Sequence, residues 1–488
     1  MTRYPSFPES GLLGWMITGW ALLLLIASSA RHILFQSGAF DLGYFDQAIY
    51  LISQGQAPVV SFWGFHFLGG HADWMVYPLA LFYKIYPSVY WLFAVQAISL
   101  ALGALPTYHL ARQAGLQGSL AITLAAVYLL YPLIFNLNLF DFHPEVMALP
   151  LILTAVWTAR QDKVWGFAIC TIIILGCRDA LSLTVAAMGF WLLVFEKKRV
   201  CGAIALITGV AWFLIATQVV IPAFRPAGVE ATLRYAYLGD SVLEIAKNLF
   251  FKPDLVLGKV FSLATLEYGL LLIAPLIWGL SIHCLAPLTA ALPLLVMNIL
   301  SDAPSQRDLV HQYSLPVLPF LLVAVIAALT AQKTWFRNRW KILLWSLIAF
   351  LVLAKYGYFG SLYLNSLDTW SATRAAVAQV QSKGSVLTTH NIVPHLTHRP
   401  HIRFTIASAP SPDLAKFDYI LLNTRHPGWM STPEFALELV NQLQKAPNFK
   451  LRYHQDGVYL FVMPPQLICQ GATERSSVGL QSQVDAGS

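Results

Sequence analysis

Long apolar stretches, separated by short polar segments, recur from the N-terminus to about residue 358. A helix needs roughly 20 predominantly apolar residues to cross a bilayer, and these stretches approach that length. They therefore predict an α-helical polytopic membrane protein with about eleven spans. The predicted spans are residues 11–30, 88–110, 118–137, 145–159, 164–178, 180–195, 201–221, 261–281, 284–300, 313–331 and 340–358.

Beyond the last predicted span, the pattern changes to short alternating segments. Val458–Val462 follows Lys450–Tyr453 through Asp456-Gly457, which is the turn sequence of a β-hairpin. Further strands are predicted at 385–389 and 418–423, and helices at 368–382 and 432–444.

These patterns divide the chain into three parts. We predict a transmembrane domain at 1–359, a small α/β domain at 360–465 and a disordered tail at 466–488, which is rich in Ser, Gln and Gly. Within the first part, a long loop at 31–87 separates the first two spans. Apolar segments at 43–53, 76–86 and 241–259 are too short to cross a bilayer and are predicted to lie along the membrane surface.

The composition excludes a soluble globular protein, because 57% of the residues are hydrophobic and only 11% are charged. The net charge of +7 does not indicate nucleic-acid binding, since the basic residues lie in short loops and form no stripe with interleaved aromatics. The five cysteines are scattered and form no CxxC pair, which argues against a disulfide framework and a zinc site.

The basic residues fall in alternate loops, which the positive-inside rule assigns to the cytoplasm. The first apolar stretch lacks a convincing small-residue cleavage site and is interpreted as a retained span. With the N-terminus in the cytoplasm, the outer segments are 31–87, 138–144, 178–180, 222–260, 301–312 and the chain after 359.

The strongly polar clusters near the spans all fall on the outer side. Ionisable groups in or beside a bilayer are costly, so their grouping on one side indicates a functional site. The candidate residues are Asp41, Asp46, His66, His71, Asp73, Asp141, His143, Glu145, Arg178, Asp179, Arg307, Asp308, His311 and Tyr313.

Asp41 and Asp46 lie just beyond the first predicted span. A carboxylate there is suited to deprotonate an acceptor hydroxyl or to hold a divalent metal against phosphate oxygens. The alternative for Asp41 is helix capping, because Phe40 and Phe45 have the spacing of a hydrophobic staple. Asp46 has no capping role and requires a partner or water.

His66, His71 and Asp73 have metal-compatible side chains, but their spacing matches no specific zinc pattern such as HExxH. Neutral imidazoles are also suited to donate hydrogen bonds to a phosphate. The alternative is an interfacial loop in which the histidines, Trp63 and Trp74 only anchor the chain at head-group depth.

Asp141, His143 and Glu145 lie within five residues around Pro144. Because proline is favoured in the first turn of a helix, Asp141 or His143 is a candidate cap. Three titratable groups exceed what capping requires, and the cluster therefore favours a contribution to a site.

Arg178 and Asp179 interrupt an otherwise apolar stretch. The pair either marks a turn between spans or presents Arg178 to a lipid phosphate, with Asp179 tuning it. The group from Arg307 to Tyr313 is suited to phosphate or sugar contacts. By contrast, Arg225 and Arg234 are interpreted as solvated loop residues.

Several of these motifs resemble an uncharacterised family of bacterial predicted membrane proteins. That family is similar in layout to the GT-C glycosyltransferases, which are polytopic enzymes that use polyprenyl-phosphate sugars. The resemblance covers residues from about 30 to 465. The motifs that carry it are Phe40–Gln47, His71–Asp73, Phe140–Glu145, Arg178–Asp179 and His311–Pro316.

The resemblance implies a bacterial inner-membrane protein with an extracytoplasmic C-terminal domain. It also implies an acidic residue in the first outer loop that acts as base or metal ligand, and Asp41 and Asp46 are the matching positions. Many GT-C enzymes carry adjacent acids there, whereas these two are separated, so the division of roles stays open. The metal requirement also stays open, with Mg²⁺ or Mn²⁺ bound by Asp41, Asp46 or Glu145 as the candidate arrangement.

The main hypothesis is an inverting transferase of a hexosyl or pentosyl group at the outer membrane face. Its partners are membrane lipid, a polyprenyl-phosphate sugar donor and an unidentified acceptor, and no nucleic acid. The donor phosphate is expected near Arg178 or Arg307.

Two alternatives of other classes remain. The first is a transporter of a lipid-linked glycan or small solute. A transporter would carry its ionisable groups near the middle of the membrane, whereas the polar groups here are predicted on the outer side. The second is a non-catalytic membrane assembly protein. No GxxxxGK[ST] motif occurs, which argues against ATP-driven transport by this chain alone.

Overall fold

The computed structural model describes residues 7–228, 230–409 and 412–464. The chain forms two compact units, and each is discontinuous in sequence. The first contains residues up to 30 and residues 65–359, and the second contains residues 31–64 and the chain from Gly360 onward. The predicted disordered tail and Cys469 lie outside the described residues.

The first unit is helical, with many short 3₁₀ segments between its longer helices. A two-residue strand lies at Phe65–His66, and the helices Phe7–Ile33 and Tyr356–Asn365 continue across the unit boundaries. The other α-helices are Leu68–His71, Ala80–Ile85, Tyr90–Leu102, Ala104–Gln113, Gly118–Leu129, Pro132–Asn138, Glu145–Arg160, Val164–Cys177, Leu181–Val194, Arg199–Ile215, Ile221–Phe224, Val242–Phe251, Pro253–Val260, Leu263–Ile273, Leu292–Leu300, Leu318–Thr330 and Arg339–Leu353.

The predicted class of helical multi-span membrane protein with a C-terminal mixed sheet is confirmed. Each of the eleven predicted segments contains a helix, but few of these helices have full membrane length. In the part of the chain that the structure describes, five are long and apolar enough to cross a bilayer, or seven if each of two bent pairs counts as one span. A proline explains part of the difference, because Pro132 begins the helix Pro132–Asn138 after the break that follows Gly118–Leu129.

Small residues allow two helices of the first unit to pack closely. A Cβ atom added to Gly189 would lie 2.3 Å from the backbone nitrogen of Leu206, and one added to Gly209 would lie 2.5 Å from that of Ala186. This close approach of Leu181–Val194 and Arg199–Ile215 is typical of helix pairs in membranes. It fixes the helix that begins directly after Asp179.

The second unit contains a five-stranded mixed sheet. Its strands lie in the order Ile402–Phe404, Val386–Thr388, Tyr419–Asn423, Val458–Val462 and Lys450–Gln455. The first three strands are parallel, and the last two form an antiparallel hairpin that confirms the predicted one. The register places Val386 beside both Ile402 and Tyr419.

Helices cover both faces of this sheet. Pro433–Lys445 packs Leu439 and Leu443 on one face, and Trp370–Val377 packs Ala372 and Ala376 on the other. Strand residues that pack against one helix alternate along the strands with those that pack against the other, as expected for a sheet buried on both sides.

The segment 31–64 belongs to the second unit and contains the two-residue strand Val59–Val60. Its helix Tyr44–Ser53 was expected on the membrane surface, but eight of its ten residues are buried. Gln47 explains the difference, because its side chain donates to Ser61 Oγ over 2.9 Å and to the Arg399 carbonyl over 3.1 Å. The helix is therefore internal to this unit.

The other two predicted surface helices are present in the first unit. The segment 76–86 forms the 3₁₀ helix Trp74–Leu79 followed by Ala80–Ile85. The segment 241–259 forms Val242–Phe251 and Pro253–Val260, neither of which has a buried residue. Their exposed apolar side chains remain consistent with a place at a membrane surface.

Candidate functional site

Arg178 and Asp179 lie at a break between two apolar helices. Val164–Cys177 ends at Arg178, whose backbone is extended, and the next helix begins at Leu181. The Asp179 backbone N–H donates to the His71 carbonyl over 3.1 Å. The break therefore places an arginine and an aspartate where side chains from other segments meet them.

Four side chains from three separate segments form a charged chain at this break. The Arg178 guanidinium forms an ion pair with the Glu145 carboxylate and donates from Nη2 to His71 Nε2 over 2.9 Å. His71 Nδ1 lies 3.3 Å from Asp179 Oδ1. Because arginine only donates, His71 Nε2 must accept, which leaves the imidazole proton on Nδ1 facing Asp179.

Burial and charge set the protonation of this group. Burial lowers the pKa of His71, and the neighbouring Arg178 lowers it further, so the imidazole is neutral. Burial would raise the pKa of Asp179, but His71 and Arg178 outweigh it and the pKa is lowered. Burial raises the pKa of Asp73 well above its usual value, so this carboxyl favours the protonated form.

Burial and Glu145 act in opposite directions on Arg178. Burial disfavours the charged guanidinium, but the ion pair with Glu145 outweighs it, so the pKa of Arg178 is raised. A buried charge of this kind persists only with such a partner. Arg178 is therefore a permanent cation with a fixed orientation.

The four side chains of this charged chain line part of a cavity of about 210 Å³ in the first unit. The ring of Tyr313 lies in this cavity between two arginines, with the guanidinium of Arg178 5.8 Å and that of Arg234 5.1 Å from its centre. The apolar lining consists of Leu181, Leu183, Phe213, Val242, Ile245, Leu249, Leu294, Val296, Met297 and Leu300.

Arg234 is the cavity residue that the sequence analysis missed. It was interpreted as a solvated loop residue, but its 3₁₀ helix Glu230–Tyr235 places it against Tyr313. Its guanidinium makes no hydrogen bond or ion pair with the described residues, so its donors are available to a ligand. No local pattern distinguishes it from Arg225, and only the tertiary fold separates the two.

Other predicted site residues of the first unit lie in a second polar cluster around Phe140. The His143 N–H donates to Gln96 Oε1 over 3.2 Å. The ring of Phe140 lies 5.5 Å from that of His143 and 4.3 Å from that of His311. Asp141, also buried, directly follows Phe140. None of these residues lines the cavity described above.

The capping alternatives are not observed. Pro144 occupies the N-cap position before Glu145–Arg160, without a side-chain cap. Asp41 lies within the helical turn Ala39–Gly43, and Gly43 rather than Asp41 precedes Tyr44–Ser53.

Arg307 and His66 have local structural contacts. Arg307 donates to the carbonyls of Asn298, Ile299 and Ser301, at the C-terminus of Leu292–Leu300, where a cation is favoured. His66 Nδ1 accepts from the Leu68 N–H over 3.2 Å. Neither residue lines the cavity.

His311 forms a local pair of its own. Its Nδ1 lies 2.7 Å from Asp308 Oδ2, and Asp308 Oδ1 accepts the backbone N–H groups of Val310 and His311. This arrangement positions the turn that leads to Tyr313. His311 therefore supports the cavity indirectly.

Asp41 and Asp46 differ in their surroundings within the second unit. Asp46 is 1% exposed, and its Oδ2 accepts from Thr397 while its Oδ1 lies 3.2 Å from His398 Nε2. Asp41 is half-buried. Burial lowers the pKa of His390, and the charge of the nearby Asp41 acts in the opposite direction. Asp46 is thus engaged in the packing of the unit, and Asp41 is the more accessible acid.

The described residues contain no group of three or more His, Cys, Asp or Glu side chains that could hold a metal ion. Of the three candidate ligands, Glu145 is paired with Arg178 and Asp46 with Thr397 and His398. These candidate ligands therefore do not form a ready metal site in the part of the chain that the structure describes.

Comparison with known proteins identifies a family and similar solved structures. Residues 31–460 match the family described as predicted membrane protein (DUF2079). No curated protein matches the chain. The family expected from the sequence motifs is confirmed.

Among solved structures, the chain is similar to ArnT from Cupriavidus metallidurans. The structure bound to undecaprenyl phosphate has a TM-score of 0.49 and 13% identity. The apo structure has a TM-score of 0.48 and 11% identity. Both matches cover 92% of this chain and 99% of the other.

Proposed function

The chain belongs to the DUF2079 family of predicted membrane proteins, and we propose that it transfers a sugar from a polyprenyl phosphate to an acceptor hydroxyl. The observation that carries the proposal is the apolar cavity that ends at Arg178 and Arg234. Such a cavity matches a ligand with a hydrocarbon chain and an anionic head group. We assign the reaction to the outer face of a bacterial inner membrane, as the distribution of basic loops indicates.

The cavity walls favour a lipid chain. Its lining is largely aliphatic, and part of it comes from Val242–Phe251, whose outer face exposes Leu243 and Phe250. Burial of apolar surface stabilises binding by roughly 25 cal/mol per Å². A helix that is apolar on the cavity side and on the outer side is suited to contact both a bound lipid and the surrounding bilayer.

The two arginines have different roles in this proposal. Glu145 and Asp179 compensate the charge of Arg178, and Glu145 and His71 hold its guanidinium where it lines the cavity. Arg234 has no acid partner among the described residues and supplies the excess positive charge. Guanidinium groups bind phosphate oxygens through paired hydrogen bonds, so the head group is expected at the guanidinium of Arg234.

The reaction requires one proton transfer and one displacement. Asp41 takes the proton of the acceptor hydroxyl, and the acceptor oxygen bonds to the anomeric carbon while the bond from that carbon to the phosphate oxygen breaks. The polyprenyl phosphate leaves as an anion, and attack opposite the phosphate inverts the anomeric centre. The family resemblance implies that an acid of 31–87 is the base, and we assign this role to Asp41 because it is half-buried, whereas Asp46 is 1% exposed.

The first test is lipid binding by the full chain in nanodiscs, measured by native mass spectrometry with polyprenyl-phosphate sugars and free polyprenyl phosphate. Arg234→Gln is expected to weaken retention of both lipids by about tenfold or more, because a hydrogen bond to a charged group contributes about 1.5–3 kcal/mol. Arg225→Gln is the matched control, since Arg225 lies over Phe65 and does not line the cavity.

The same preparations separate binding from transfer. Asp41→Asn is expected to retain the donor lipid and to lose release of free polyprenyl phosphate in the presence of acceptor extracts. Equal retention by Arg234→Gln and wild type would exclude the proposed head-group site. Retention of the sugar lipid without turnover by wild type would favour the transporter alternative.

A further inference from the structure

A second cavity, of about 220 Å³, lies within the second unit. Its polar lining consists mainly of amides and hydroxyls, including Asn365, Asn391 and Asn423, and its aromatic lining includes Trp370. One water occupies about 30 Å³ of liquid volume, so the cavity has room for a ring-sized ligand rather than a single water.

The lining indicates an uncharged ligand. None of the described residues that line the cavity is an acid, a lysine or an arginine. His426 lines it, but its Nε2 lies 2.6 Å from Asp368 Oδ1 and is engaged there. Burying a charge without a partner is costly, so an ionised ligand is disfavoured.

The amides offer both donors and acceptors to such a ligand. Asn365 makes no side-chain hydrogen bond to any described residue, and Asn391 uses its Oδ1 on His390 Nδ1 over 2.9 Å, which leaves its NH₂ group available. Side-chain amides pair with hydroxyl groups in either sense. Several such groups beside an aromatic ring are the chemistry that recognises a sugar, which has hydroxyls at its rim and an apolar face.

A glycine turn that lines this cavity directly precedes an exposed tryptophan. Gly428 lines the cavity with a φ of +81°, and a Cβ there would lie 2.9 Å from the Cβ of His390. A glycine is therefore required at this turn. The next residue, Trp429, is 61% exposed and meets Phe40 edge-on at a centroid distance of 4.8 Å.

We propose that this cavity, together with Trp429, binds a neutral sugar ring. The exposed indole supplies a flat apolar surface, and the amides of Asn365 and Asn391 supply the hydrogen bonds. This inference goes beyond the proposed transfer reaction and does not depend on it, because none of its residues belongs to the cavity of Arg178 and Arg234.

The test uses the full chain in nanodiscs, without sugar-based detergents, and saturation-transfer NMR. The probes are the methyl glycosides of glucose, galactose, mannose, N-acetylglucosamine and arabinose, with glucuronate and glucose 1-phosphate as charged comparisons. At least one neutral glycoside is expected to bind. Asn365→Ala and Trp429→Ala are each expected to weaken its binding about fivefold, which corresponds to the loss of one hydrogen bond or ring contact.

Matched controls distinguish this site from general effects. Asn441→Ala changes an exposed asparagine on Pro433–Lys445, and Trp335→Ala changes a tryptophan that is 70% exposed in the first unit. Both are expected to bind the glycoside as wild type does. Arg234→Gln is also expected to bind it normally, so failure of the transfer reaction and failure of this site give different results.

Three results would overturn the inference. They are binding of no neutral glycoside, equal binding by wild type and both cavity variants, and preferential binding of the charged sugars.

Discussion

At the scale of single residues, the fold decides which of several similar side chains is available for chemistry. Arg307 and Arg234 are both loop arginines, and the sequence favoured Arg307. The structure shows that Arg307 donates to three carbonyls at a helix end, whereas Arg234 faces a cavity. Sequence identifies the residue types but not which donors are already used, because helix-end carbonyls are known only once the helices are placed.

His395 provides a residue-scale prediction about acid stability. Its ring stacks on that of His32 at 4.0 Å, and burial lowers its pKa to about 3. A neutral histidine in the folded state contributes stability above its unfolded pKa of about 6.5, and this is lost as the pH falls from there toward 3. At pH 5 the loss is about 2 kcal/mol.

We therefore expect the unfolding temperature of wild type to fall between pH 7.5 and pH 5. His395→Phe retains a ring for stacking and removes the titration, so its pH dependence is expected to be shallower. His454→Phe is the control, because His454 is exposed and stacks on Tyr459 at 4.0 Å. Thermal unfolding followed by tryptophan fluorescence measures all three. Parallel pH profiles for wild type and His395→Phe would contradict the assignment.

At the scale of elements, the sequence predicted which helices and strands form better than it predicted what surrounds them. The helix Tyr44–Ser53 was predicted almost to its boundaries, and so was the hairpin of the sheet. The predicted position of Tyr44–Ser53 on the membrane surface was wrong, because apolar periodicity does not distinguish a helix buried in protein from one lying on a bilayer. The side chain that decides, Gln47, bonds to residues more than 300 positions away.

The close helix pair of the first unit provides an element-scale prediction. Gly189→Ala adds one methyl group against the backbone of Leu206 and the carbonyl of Gly202, which lie 2.3 and 2.7 Å from the new Cβ. Backbone atoms cannot rotate away, so we expect a loss of about 1–3 kcal/mol. Thermal unfolding in nanodiscs measures it as a lower midpoint.

Gly269→Ala is the matched control, because Gly269 also lies within a helix but has no atom within 4 Å of the added Cβ. It is expected to be neutral or stabilising by up to about 1 kcal/mol, since alanine is the better helix former. Equal midpoints for the two variants would show that the helices do not pack as closely as described.

At the scale of the whole molecule, the composition and the apolar pattern were sufficient for the membrane class and the terminal sheet. They did not reveal that residues 31–64 and the C-terminal region form one unit. Predicted domains were contiguous because local patterns carry no information about which distant segments pair. The C-terminal region is therefore more than an appended module, since the motif of Asp41 and Asp46 is folded with it.

This arrangement predicts the effect of truncation. In a chain that ends at residue 359, Asp46 loses Thr397 and His398, and Ser61 loses its hydrogen bonds with the Ile402 backbone. A buried polar group without its partner costs about 1–3 kcal/mol, and more if charged. We expect the segment 31–64 to unfold and to be cut by chymotrypsin at Phe40, Tyr44 and Phe45.

The control is a chain that ends at residue 464, which retains these contacts and is expected to be protected as the full chain is. Mass spectrometry of limited digests in nanodiscs locates the cuts. Protection of 31–64 in the shorter chain would mean that the segment folds without the C-terminal region. Cleavage there, with the remaining helices intact, would mean that a loss of activity on removing the C-terminal region does not require that region to perform chemistry. Deletion alone therefore does not distinguish a recruiting domain from a structural one. Asn365→Ala does, because Asn365 makes no side-chain hydrogen bond to any described residue and its replacement leaves the fold of 31–64 in place.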